Sequence, residues 1–339
     1  MRTQKFELTL LTPAFLGDAH QSGAWRTPPF KALLREWWRI AAAPAHRFDH
    51  SRLRENEGHL FGNAWLDSGA TKSKIRLTLG AWRPGQLKNW QNDQPVFHPE
   101  VGQGGRKVGS QLYLGYGRQH ATALKKNAAL QAEETNTLSL AWPEGHDAIL
   151  THTLQLIDWF GTVGGRSRNG WGSVALGGEA LRKDHPLLNA VLRDLDDCLS
   201  LDWPHAIGRD DKGPLIWQSR ETFADWKAAM HYLAKTKIGF RTHLPFHGGQ
   251  PHRRAEERHL LAYPVTNHAI AGMNREARLA NQLRFKLYRD GEKLRARIYH
   301  TPHACPLPVH GIDQAAVWKK IHAWLDNPAH GLERLGGQQ

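Results

Sequence analysis

Apolar and polar residues alternate from Lys5 to Leu11 (KFELTLL), the period of a strand with one buried face. The turn-rich stretch TPAFLGDAHQSG follows, and after Pro28-Pro29 the period becomes helical. Phe30, Leu33, Leu34, Trp37, Ile40 and Ala41 then form one apolar stripe on a helix running to about Ala42. Proline suits a first helical turn, because the N–H it lacks has no partner there in any helix. A short helix is expected over 52–61, stopped by Gly62, with strands at 74–79, near 111–114 and at 137–141. Ile149, Leu150, Leu154, Ile157 and Phe160 restore helical spacing over 147–161, and SVALGG reads as a closing strand. The order β-α-β-β-α-β, with insertions, is the ferredoxin-like arrangement.

A boundary is expected at Gly177-Gly178. Beyond it the pattern predicts helices over 186–199 and 221–234. The segment 242–258 (THLPFHGGQPHRRAEER) is polar, basic and broken by Gly and Pro, and reads as a mobile loop. Two alternating runs over 283–299 meet at Asp290-Gly291, a hairpin signal. A terminal helix over 313–325 precedes a frayed tail, GLERLGGQQ. The expected class is α+β: tandem ferredoxin-like domains with insertions, residues 1–178 carrying a glycine-rich loop and residues 179–339 lacking one.

The 339 residues suffice for two domains. Charge narrows the partner: 45 Lys+Arg against 32 Asp+Glu leave a net +13, the footprint of a protein that meets a polyanion. No apolar run approaches the length of a membrane span and no lipidation motif is present, so no membrane partner is expected. The first residues lack the apolar core of a signal peptide. Two cysteines, Cys198 and Cys305, argue against a disulfide framework and for a cytoplasmic location.

The densest chemistry lies at 164–174, GGRSRNGWGSV. Gly164, Gly165, Gly170 and Gly172 free the backbone for close approach to a ligand. Arg166 and Arg168 supply planar forks suited to phosphate oxygens, Ser167 and Asn169 add polar groups, and Trp171 offers a face for a base or packs beneath the loop. The loop runs from helix to strand. Dinucleotide fingerprints and P-loops run from strand to helix, and no GK[ST] follows these glycines, so both are excluded. What remains is a phosphodiester-binding loop or a structural turn with exposed arginines. On the first helix, Lys31, Arg35 and Arg39 recur every fourth residue beside Trp38, forming either a solvated basic face or a second nucleic-acid contact.

Three of these stretches, LTPAFLG after the first strand, FKALLREWWR on the first helix and GGRSRNGWGSV before the last strand of the first half, resemble the RAMP superfamily of CRISPR effector proteins in content and spacing. The paired Trp37-Trp38 followed by Arg39, and LRENEGHLFG at 53–62, resemble more narrowly the family of the first subunit of type III-B (Cmr) complexes. In the second half, LLAYPV at 260–265 and RLANQLRFKLY at 278–288 are similar too, although Asn281-Gln282 stands where that family usually has Ser-Pro. The resemblance implies a subunit that binds crRNA, in its 3′ region, and target RNA in antiviral defence, beside other Cmr subunits and without a cofactor. It adds Arg278 and Arg284 to the candidate RNA-binding residues.

Some RAMP relatives cleave RNA with a His or Asp near the first strand or helix. His20 and Asp18 are the candidates here, the imidazole acting as general base or acid on a 2′-hydroxyl. One histidine among 21 also fits a solvated loop. Backbone RAMP subunits carry their cleaving Asp just before the first helix, where this chain reads GAWRTPP, with Arg26 and no acid. Binding without cleavage is therefore expected. His300-x-x-His303-x-Cys305 lacks a fourth ligand at structural-zinc spacing, and no metal is expected there.

Overall fold

A computed structural model describes residues 1–18, 22–64, 69–87, 93–115, 119–120, 123–124 and 129–336. The fold is mixed α/β with several antiparallel sheets, in two compact units. The first comprises residues 1–92, 115–191 and 286–289; the second comprises 93–114, 192–285 and 290–339. The chain leaves the first unit between Val191 and Leu192, past the expected Gly177-Gly178. Each unit also takes a piece from the other half of the sequence.

In the first unit, β1 (Arg2–Leu10) leads to α1 (Thr27–Ala42) and α2 (His50–Phe61), then β2 (Arg76–Leu79), β3 (Thr135–Trp142), α3 (Asp147–Phe160) and β4 (Val174–Ala175). The sheet order is β2-β3-β1-β4, each pair antiparallel, with Phe6 opposite Leu138 and Leu10 opposite Val174. Alternation along the strands puts Leu8, Leu77, Leu138, Leu140 and Val174 on one face. There they meet Phe30, Leu33 and Leu34 of α1 with Leu154 and Ile157 of α3, the stripes expected from the helical spacing. Helix α2 starts at Asp49, whose carboxylate accepts from the N–H groups of Ser51 (2.9 Å) and Arg52 (3.1 Å). Such a cap is worth about 1 kcal/mol.

The sheet of the second unit, with its helices, has β5 (Ile216–Ser219), α4 (Trp226–Thr242), β6 (Leu283–Asp290, of which 286–289 group with the first unit), β7 (Lys293–His300), α5 (Gln314–Asp326) and β8 (Leu332–Arg334), in the strand order β6-β7-β5-β8. Asp225 and Asp313 cap the two helices through the N–H groups of Ala228 and Ala316. Gly291, at φ +61°, makes the expected β6–β7 turn. A small sheet of Leu192–Asp194, Ile207–Asp210 and Gly213–Pro214 and a hairpin of Pro95–His98 with Arg106–Gly109 complete the unit, the hairpin packing on α4.

Three expectations fail locally. Residues 110–115 form a short helix rather than a strand, because the Asp93 carboxylate accepts from the N–H groups of Gln111 (2.8 Å) and Leu112 (3.1 Å) and seeds a turn. The expected helix 186–199 is split into Pro186–Asn189 and Leu195–Cys198 by Leu192–Asp194, which pairs in parallel with 207–209. The tail is no frayed end through Arg334: Leu332–Arg334 pairs with Ser219, Gln218 and Trp217 of β5. Arg334 also bridges Asp210 (2.7 Å) and Asp326 (3.2 Å).

Candidate nucleic-acid interface

The glycine-rich loop leaves α3 at Gly161 and lies against the segment after β1, joining two stretches far apart in sequence. The Gly165 N–H donates to the carbonyl of Phe15 (3.0 Å), and that of Gly172 to Pro13 (2.9 Å). Thr12 Oγ1 donates to the carbonyl of Gly170 (2.7 Å) and accepts from the Ser173 N–H (2.9 Å); Ser173 Oγ also donates to Gly170 (2.9 Å). Gly164 (φ +90°) and Gly172 (φ +65°) are required as glycine. A Cβ would stand 2.7 Å from the Phe15 carbonyl oxygen at the first and 2.0 Å from that of Val163 at the second. With both limbs fixed, a tight turn closes between them: the Asn169 N–H donates to Arg166 (2.9 Å) and the Gly170 N–H to Ser167 (3.0 Å). Its apex is Arg166, exposed and left-handed at φ +59°, followed by half-buried Ser167 and Arg168, while Asn169 is buried.

Trp171 is fully buried, its ring 5.1 Å from that of Phe15. Of the two expected roles it takes the one beneath the loop and presents no face to a base. Trp38 corrects the helix reading in the same way: it is 4 % exposed and packs edge-on against Phe61 at 5.7 Å. Arg35 and Arg39 both point to Glu57 of α2, at 2.5 and 2.6 Å. Burial pushes the Glu57 carboxyl up, and the hydrogen bonds from Arg39 and Arg35 outweigh it, leaving the group below its ordinary range. The bond to Glu57 likewise raises Arg39. Lys31 is half-buried, and burial plus the nearby Arg35 lower its pKa. The expected basic face thus holds one carboxylate shared by two of its three cations.

Arg278 is exposed and donates to the carbonyls of Arg275 and Ala277. Arg284 is 3 % exposed, inside the second unit, and is no surface contact for RNA. Asp18 Oδ1 accepts from the Ser22 N–H (2.8 Å); His20 lies outside the described residues. His300 Nδ1 meets His322 Nε2 at 3.0 Å and His303 Nδ1 meets the Ala304 carbonyl at 2.9 Å, so the HxxHxC histidines do not converge. Among the described residues no group of three His, Cys, Asp or Glu could hold a metal.

Sequence reasoning missed Lys286. Although fully buried, it donates from Nζ to the carbonyls of Ile157 (2.9 Å), Asp158 (2.5 Å) and Val174 (2.6 Å). The ammonium thus sits at the negative end of α3, bonding two of its last four carbonyls, together with the strand that closes the loop. Next to it, the Leu287 N–H donates to Ser173 Oγ (3.0 Å). β6 is buried on both faces from Leu283 to Leu287.

No protein-family model and no curated protein matches the chain. Among solved structures it is similar to the crystal structure of Cmr1 from Pyrococcus furiosus in its apo form, at 14 % identity over 99 % of both chains, with a TM-score of 0.49. It is also similar to a chain of the type III-B Cmr-beta complex bound to cognate target RNA and AMPPnP in the presence of ssDNA. That match has 11 % identity over 94 % of this chain and 97 % of the other, with a TM-score of 0.49. A chain of the same complex bound to cognate target RNA gives 11 % identity, 94 % and 98 % coverage and a TM-score of 0.47. Among the described residues no helix is long and apolar enough to cross a membrane.

Proposed function

We propose that the chain is an RNA-binding subunit of a type III-B CRISPR effector complex, holding the 3′ region of crRNA, target RNA or both beside other Cmr subunits in the cytoplasm. The observation that carries this reading is the apex Arg166-Ser167-Arg168. Its limbs are fixed by backbone hydrogen bonds to Pro13 and Phe15 and by Thr12, so the two guanidinium groups stand on a preformed turn. Preformed cationic turns bind a phosphodiester with little ordering cost. The net charge of +13 and the RAMP-like motifs, of which LTPAFLG and GGRSRNGWGSV meet in this site, point to the same ligand.

We read both units as ferredoxin-like. In each, the sheet takes its strands in the order second, third, first, fourth, and a helix follows the first and the third. We also read the chain as binding without cutting. The stretch before α1 has Arg26 and no acid, and the Asp18 carboxylate is engaged by its own turn. Native purification with the neighbouring subunits tests the assignment. A raised ratio of absorbance at 260 to 280 nm, with sequenced RNA carrying repeat-derived guides, is the expected result; a nucleic-acid-free assembly would overturn it.

A further inference from the structure

Within the second unit, residues 243–245, 247–251, 253–257, 310–313, 316 and 320 line a surface groove of about 1160 Å³. That exceeds the roughly 300–1,000 Å³ of small-molecule pockets, and its lining holds no Trp, Tyr or Phe. Such a groove suits a chain held along its backbone better than a base or a metabolite.

Its acids are already engaged. Glu256 accepts from the N–H groups of His247 (2.7 Å) and Gly248 (2.9 Å) and from His252 Nδ1 (2.6 Å). Glu257 holds Lys320 at 2.6 Å, and Asp313 caps α5 through the Ala316 N–H at 3.0 Å. Arg253 and Arg254 are exposed and have no acidic partner among the described residues. Exposed His247 and His310 line the same groove.

The two arginines sit between His252 and Glu256, and that bracket is fixed, against the expectation of a mobile loop. The Glu256 N–H donates to His259 Nδ1 (3.0 Å), so His259 carries its proton on Nε2 and donates to the carbonyl of His268 (2.9 Å). With Nδ1–H of His252 on Glu256, its Nε2 accepts from His268 Nδ1 at 2.8 Å. Phe246 stacks on His268, ring centroids 3.9 Å apart, and the His252 N–H donates to the carbonyl of Ala269 (2.9 Å). His252 is 1 % exposed. The loop core is thus a connected hydrogen-bonded frame whose outward residues are two cations.

We propose that this groove is a second RNA site, gripping the sugar-phosphate backbone of a single strand through Arg253 and Arg254. The proposal rests on the RNA reading above and adds a site to it, one that does not use the glycine-rich loop. The test is fluorescence anisotropy of a labelled single-stranded RNA on the full chain, over a salt series, with the parent, R253E/R254E and R166E/R168E. The first variant is expected to melt like the parent, since both side chains are exposed. It should bind at least about tenfold more weakly, with a salt slope smaller by roughly 1.4, about 0.7 for each of two phosphates released. Parent-like affinity and slope in R253E/R254E, with R166E/R168E impaired, would overturn the groove and leave the RNA reading standing. A parent chain without RNA affinity would overturn both.

Discussion

Lys286 Nζ lies 2.6 Å from the carbonyl oxygen of Val174, joining the strand that closes the glycine-rich loop to the end of the helix that opens it. The loop is therefore held by a buried cation as well as by its glycines. Lys286→Met removes a donor from three carbonyls, of which that of Ile157 keeps the Gly161 N–H (2.7 Å), while relieving the desolvation of one ammonium. An unpaired buried acceptor costs about 1–3 kcal/mol, and the relief offsets part of the total. A net loss of about 1–3 kcal/mol in urea unfolding is expected. A midpoint equal to the parent's would show that the carbonyls find other partners.

Trp171→Ala is expected to act on stability. The ring is fully buried against Phe15, and emptying such a site costs about 3–5 kcal/mol. Denaturant unfolding should show that loss, and the folded fraction should bind RNA with the parent's affinity. Full stability with lost RNA binding would mean that the indole stacks on a base after all.

Acid should weaken the second unit through His205. Arg193 Nη1 donates to its Nε2 at 2.8 Å, and its Nδ1 faces the Trp203 carbonyl at 2.6 Å, so the ring is neutral with its proton on Nδ1. Burial pushes its pKa down to about 4, against 6.5 for the ordinary side chain. Burial likewise pushes His322 down to about 3. Between these values and 6.5 the unfolded chain binds more protons than the folded one, so stability is complete above about 6.5 and falls as pH drops toward 4. Each unit of depression corresponds to about 1.4 kcal/mol. Melting temperatures from pH 7.5 to 4.5 should decline, and His205→Gln should flatten the decline. A melting temperature independent of pH over that range would contradict the assignment.

Much of the first unit is legible in sequence because its strands are one-sided and its helices have single stripes. Leu8, Leu138 and Leu140 alternate toward the helices, and Phe30, Leu33 and Leu34 repeat at helical spacing. The loop was legible too, since glycine at 164 and 172 answers to backbone approach that no other residue permits. The helix face was not. A row of cations at every fourth residue looks the same whether water or Glu57 faces it, and the partner lies on another element. Lys286 and Arg284 escaped because LRFKLY alternates as a one-sided strand does, whereas β6 buries both of its faces. The segment 242–258 looked loose because its frame is built from polar rings and one carboxylate, which composition scores as loop.

The isolated chain is expected not to cut RNA. Labelled RNA incubated with the purified protein, with and without Mg²⁺, should stay intact. The His20→Ala and Asp18→Asn variants serve as controls. Cleavage abolished in either variant would make the chain a ribonuclease and overturn this expectation; equal cleavage in all three would identify a contaminant.

The central claim is that the preformed apex of the glycine-rich loop binds RNA. Its most direct test is the affinity of R166E/R168E for single-stranded RNA beside the parent, with thermal melting of both. Reversing two charges at the apex should lower affinity by at least about tenfold and reduce the salt slope by roughly 1.4. The melting temperature should be retained, because Thr12, Ser173 and Lys286 hold the loop through its backbone. A folded double variant that binds RNA as tightly as the parent would contradict the account and leave the loop a structural turn.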